Sequence, residues 1–251
     1  MLAVRPSFYI KKEGTNHQAV KEGLAWLHQN SKKKGFLAVM VYGNLEGIIS
    51  DILGEETVKK FIKDGALRIN GKEMVLVTMK KRIYSGDNEP ILLVYPNEKF
   101  LDEIDSIHNV SAMLVVPWNF QEIELWIKTH NATELGQPKK EEPELIRNKV
   151  VVRALESLVN HINISTGIIH PSDKEAAIWT FTILRDGGEY FNPDEIKAWL
   201  IRYGNMRASY AQDVADIAKA VLEGRKLKKG IRHWRDDILE IWREEAKTKQ
   251  S

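Results

Sequence analysis

Three short junctions carry the residue types best suited to hold a small molecule: Val41-Tyr42-Gly43-Asn44, Val94-Tyr95-Pro96-Asn97 and Val115-Val116-Pro117-Trp118-Asn119. In each, an apolar run ends in Gly or Pro, and an Asn stands where a helix should begin. The Asn side-chain oxygen can accept one of the unpaired N–H groups of the first helical turn. The remaining N–H groups and the positive end of the helix dipole favour an anion. Trp118 adds a ring on which another ring can stack. Gly43, Asn44, Tyr95, Asn97, Trp118 and Asn119 therefore form a candidate site for a small anionic or nucleotide-like ligand. The chain has no Gly-x-Gly-x-x-Gly, the fingerprint of a Rossmann dinucleotide site, so no cofactor is assigned.

A second candidate is the run Arg225 to Arg235, RKLKKGIRHWR, whose basic residues are Arg225, Lys226, Lys228, Lys229, Arg232 and Arg235. Clustered cations can neutralise phosphates, and the neighbouring Trp234 can stack on a base, so nucleic acid is the alternative partner. A helix over 193–203, a turn at Gly204-Asn205-Met206 and a helix from Arg207 have the spacing of a helix-turn-helix pair. Asp213, Asp216 and Glu223 on the second helix would repel phosphate, and Asp236-Asp237 follow the basic run, so this reading is not the favoured one. A protein-interaction or assembly module is the third reading.

Other chemistry finds little support. Glu98, Asp102 and Asp105 form a carboxylate stripe opposite the apolar side of one helix, which reads as the wet face of an amphipathic helix. The histidines, at 17, 28, 108, 130, 161, 170 and 233, are scattered. Gly-x-Ser-x-Gly, His-Glu-x-x-His, an EF-hand loop and a Walker motif are all missing. With no Cys there is no disulfide, thiolate zinc site or iron–sulfur cluster.

The elements that must position these residues begin with a helix capped by a Thr15/Gln18 box and running to about Asn30, after a short apolar edge strand near Phe8 to Ile10. Continuous apolar runs predict buried strands over 36–42, 91–95 and 113–117, parallel neighbours in one sheet. Asn70-Gly71 between two apolar runs predicts a hairpin, and Ser85 to Pro90 a turn. From Ala132 to Lys149 the periodicity fades and charges alternate, as in a linker. Helices are predicted beyond it at 148–163, 173–186, 193–203, 207–223 and 234–248. A Ser172/Glu175 box and Asn192-Pro193 mark two of the starts.

Composition agrees with a water-exposed, core-forming chain. Of 251 residues, 43% are apolar and 29% charged, and the net charge of +2 is too small to steer the whole molecule towards polyanions. The N-terminus lacks the apolar core of a signal peptide, and no run reaches membrane-spanning length, so no membrane partner and a cytoplasmic location are expected. The expected fold is α/β: an open, mostly parallel (mixed) three-layer sheet domain followed by a separate all-α helical bundle. The expected limits are 1–135 for a Rossmann-like domain, 136–149 for a charged linker and 150–251 for the helical domain.

Overall fold

The computed structural model describes residues 5–142, 144–231 and 233–248. The chain divides into two compact units, Met1–Glu142 and Pro143–Ser251. The first is an α/β unit built on a seven-stranded sheet, and the second contains helices and no strand among its described residues.

In the first unit β1 (Ser7–Tyr9) leads into α1 (His17–Asn30) and β2 (Lys34–Val39). An irregular π turn, Leu45–Ile49, continues as α2 (Ser50–Leu53) and α3 (Glu55–Asp64). The hairpin β3 (Ala66–Ile69) and β4 (Lys72–Val77) precedes β5 (Ser85–Val94), α4 (Glu98–Asp105) and β6 (His108–Val116). A short 3-10 turn, α5 (Glu124–His130) and β7 (Thr133–Glu134) complete the unit. The strand order is β3-β4-β2-β5-β6-β1-β7, all pairs parallel except β3 with β4. β2, β5 and β6 are thus adjacent and parallel, as their continuous apolar sequences predict.

Side chains alternate across the sheet with the period of two that a strand imposes. Leu37, Val39, Leu92, Val94, Leu114 and Val116 pack on one face with Val20 and Leu27 of α1 and with Leu45, Ile49 and Phe61 from the segment after β2. Phe36, Ala38, Ile91, Leu93, Met113 and Val115 pack on the other face with Phe100, Leu101 and Ile104 of α4 and Trp126 of α5. The result is three layers.

Several local readings change. β1 is not an edge strand, because β6 pairs with one side of it and β7 with the other. β7 itself lies in the stretch where the sequence pattern had faded; two residues are too few for a period to show. Asn16, not Thr15, caps α1, its side chain accepting from Ala19 N at 3.0 Å. Residues 85–90 belong to β5 rather than to a separate turn, with register shifts between Ser85 and Glu89 and between Glu89 and Ile91. Pro90 has no N–H to give to a ladder, which suits a position beside such an irregularity.

The Asn70-Gly71 hairpin forms as expected, with both residues at positive φ (47° and 81°). A side chain at Gly71 would be held in the left-handed region that L residues resist. Gly71→Val should therefore lower stability by about 1–2 kcal/mol in chemical denaturation, although no atom lies within 4 Å of the added β-carbon.

The second unit comprises α6 (Lys149–His161), α7 (Pro171–Asp186), α8 (Pro193–Arg202), α9 (Ala208–Leu222) and α10 (Ile238–Thr248) around a single apolar core. Asn192 caps α8 through Asp194 N at 2.8 Å with Pro193 at the first helical position. The Ser172 box does not form. α7 begins two residues earlier than expected, at Pro171, and His170 occupies the cap without a side-chain bond. Leu145 and Ile146, within the charged stretch read as linker, pack into this core.

Candidate functional site

The junctions at 41–44, 95–97 and 118–119 follow β2, β5 and β6, so they emerge from neighbouring strands along the carboxyl edge of the sheet. The paths that leave this edge differ. After β2 the chain turns to the face covered by α1, and after β5 it turns to the face covered by α4. Where adjacent parallel strands send their connections to opposite faces, a crevice opens between the two loops. The β2/β5 edge is such a switch point.

On the β2 side, Val41 and Tyr42 are exposed, at 54% and 39%. Tyr42 O accepts from Leu45 N at 2.8 Å and from Glu46 N at 3.1 Å, which winds the chain into the π turn. Gly43 faces open space. Asn44 does not cap the helix: its side-chain oxygen turns back to accept from Val41 N at 3.3 Å. Asn44 already has helical backbone angles (φ −68°, ψ −26°) instead of the extended ones of a capping residue.

On the β5 side, Asn97 caps α4, accepting from Phe100 N at 2.9 Å. Its own N–H points at Met40 Sδ, 3.2 Å away, tying the two loops together. Tyr95 is buried and sits at φ 53°. Its ring meets Trp118 edge-on, with centroids 5.4 Å apart, and its hydroxyl accepts from Asn16 N at 3.0 Å. Burial pushes the Tyr95 phenol up, and the Asn16 N–H pulls in the opposite direction.

β6 and β1 form a second switch point, which the chain itself fills. Gly14 N donates to Trp118 O at 2.9 Å, and Phe120 N donates to Glu13 Oε1 at 2.6 Å. Asn119 closes its own turn through Gln121 N at 2.9 Å. Trp118 nevertheless remains 51% exposed. The six candidate residues thus lie along one edge, with Tyr95 serving as support beneath Trp118 rather than as an open surface.

A charged cluster that sequence reading misses lies elsewhere in the same unit. Asp105, placed by its spacing on a wet helix face, has a side chain only 5% exposed. It pairs with Arg5, accepts from Trp126 Nε1 at 3.0 Å and meets His130 Nε2 at 3.0 Å. Burial alone would raise its pKa, but the charges of His130 and Arg5 and the bonds from His130 and Trp126 outweigh it, holding the carboxyl well below the usual range. Its partners are 100 and 25 residues away, so helical periodicity could not reveal them.

The basic run forms an irregular strap between α9 and α10. Arg225 pairs with Glu223 at 2.6 Å, Arg235 with Asp237 at 2.7 Å, and Lys229 Nζ lies 5.0 Å from the Trp179 ring centroid. Lys226 and Lys228 are exposed, and Arg232 lies outside the described residues. Trp234 is not presented for stacking on a base, since its Nε1 donates to Thr180 Oγ1 at 2.9 Å and its ring meets Trp242 edge-on. Asp213 is pushed up by burial and by Asp216 beside it.

Among the described residues no group of three His, Asp or Glu side chains could hold a metal ion, and no helix is long and apolar enough to cross a membrane. Residues 147–243, within the helical unit, match the family model described as a domain of unknown function, DUF1889. No curated protein and no solved structure matches the chain.

Proposed function

We propose that the α/β unit binds a small anionic, ring-bearing ligand of nucleotide-like chemistry in the β2/β5 crevice. The observation that carries this reading is the switch point itself, with the exposed ring of Tyr42 on the β2 loop and the half-exposed ring of Trp118 edge-on to Tyr95 of the β5 loop. The open backbone at Gly43 allows close approach, and the capped start of α4 presents the positive end of a helix dipole to an anionic group. The ring stacks on Trp118, which Tyr95 holds from below. This edge is favoured over the basic strap because Arg225 and Arg235 are already matched by carboxylates, whereas the rings at the edge are exposed.

A thermal-shift screen of nucleotides and phosphorylated metabolites tests the reading, and a hit should quench tryptophan fluorescence. Trp118→Ala should weaken that hit about tenfold, since stacking a base on an aromatic side chain contributes about 1–3 kcal/mol. The folding midpoint should change little, because Trp118 is half exposed. No shift with any member of the screen at millimolar concentration would refute the proposal.

A further inference from the structure

A cavity of about 210 Å³ opens at the opposite, amino-terminal end of β2 and β4, away from the edge discussed above. Its origin is a gap in the helical layer. α1 packs over β2, β5 and β6, and α3 packs over β3, and the cavity lies between these two helical segments. Leu24 and Leu27 of α1, Leu53 of α2, Ile69 of β3 and Met74 of β4 line the space. At Gly35 helix and strand come so close that an added β-carbon would run into Ser31 and Leu27, which bounds the cavity on that side.

The polar residues of the lining are His28, Ser31, Lys72 and Glu73, and Ser31 Oγ donates to Leu27 O. Lys72 shares the face of Met74 and Leu76, because residues two apart on a strand point the same way. Its ammonium donates to the His28 carbonyl oxygen at 2.8 Å, and among the described residues no carboxylate pairs with it. Glu73, although part of the rim, alternates to the face of Val75 and Val77, so its carboxylate does not answer Lys72. An apolar chamber ending in a cation with spare donors recognises an acid with an apolar tail. A void of about 150 Å³ lined by Leu, Ile and Phe can hold benzene, so this one has room for a slightly larger body.

We infer that this cavity binds a monocarboxylic acid with an unbranched or aryl apolar body of about ten heavy atoms. The body lies against Leu24, Leu27, Leu53, Ile69 and Met74, and the carboxylate meets Lys72 at the mouth. This site is separate from the β2/β5 crevice, and neither proposal depends on the other.

Octanoate is the probe, with octanol as its uncharged counterpart and acetate as the head group alone, each titrated into the full chain labelled for backbone amide spectra. Octanoate should shift the amides of His28, Gly35, Leu53 and Ile69 in a saturable way, leaving Gly43 and Asn97 unmoved. Octanol should bind about tenfold more weakly or worse, since a hydrogen bond between charged groups is worth about ten- to a hundredfold in affinity, and acetate should not saturate. Lys72→Met, which keeps the apolar stem, should remove the preference for the acid. Leu24→Phe, which fills the chamber, should abolish binding while the thermal midpoint holds. Equal affinity for octanoate and octanol would overturn the inference, as would shifts scattered away from the cavity, unchanged binding by either variant, or no binding at all. The comparison of ligands on the unaltered chain stands even if a variant folds poorly.

Discussion

Replacing Asp105 with alanine should cost about 3–5 kcal/mol of unfolding free energy, the usual penalty for stripping one partner from a buried ion pair. The loss is large because Arg5 and His130 would keep their places around an empty centre. The Arg5 guanidinium, 15% exposed, would have no counter-charge, and its Nε already lacks a partner. Trp126 Nε1 would lose its acceptor as well. Asp105→Asn should be milder, since the amide oxygen still serves Trp126. The double change Arg5→Met with Asp105→Leu should recover much of the loss, because apolar residues of similar volume often replace a buried pair without penalty. Urea denaturation of the unaltered chain and the three variants, with the slope checked for constancy, measures these differences.

The same carboxylate predicts a pH dependence. Its folded pKa lies below its unfolded value of about 4, so the unfolded chain binds the proton more readily. The stabilisation is complete above that unfolded value and is lost progressively as the pH falls towards the folded one. Between about pH 5 and pH 2, the native chain should therefore lose stability more steeply than Asp105→Asn. Parallel slopes for the two would remove Asp105 from the acid response.

The second large effect should come from Trp242→Ala, at about 3–5 kcal/mol. Trp242 is fully buried in α10, its Nε1 donates to Ser157 Oγ of α6 at 2.9 Å, and its ring meets Trp234 edge-on. It thus ties the last helix to the first of its unit and to the strap. Deleting it leaves a cavity and an orphaned hydroxyl. Hydrogen exchange should show protection falling first in α10 and then in the facing side of α6, while the sheet unit keeps its protection. Trp242→Phe, which keeps one ring and loses the N–H with part of the indole, should cost less, about 1–3 kcal/mol. Equal losses for the two would mean that the hydrogen bond, not the packing, holds the helix.

The features that sequence reading recovers are those set by near neighbours. Continuous apolar runs identify β2, β5 and β6 because strands buried on both faces need no polar alternation. Asn70-Gly71 identifies its hairpin because few other pairs accept two positive φ angles. Asn192-Pro193 marks the start of α8 because cap and proline act within one turn. The failures involve partners far along the chain. Nothing near Asp105 announces Arg5, and nothing near Ser7 announces that two strands will flank it. Asn44 fails for a local reason: the same three-residue grammar that caps α4 at Asn97 instead closes a turn when a π segment follows. The candidate edge was legible as three junctions, but the two switch points along it, and the filling of one of them by Glu13 and Gly14, required the topology.

The position of β1 bears on how the chain must assemble during synthesis. Its neighbours, β6 and β7, are encoded about a hundred residues later, so residues 7–9 leave the ribosome with nothing to pair with. A sheet whose first-made strand waits for its last-made ones closes late, and its long-range pairing is slow compared with local helix formation. Residues 7–9 are then the strand most in need of shielding until translation has passed residue 134.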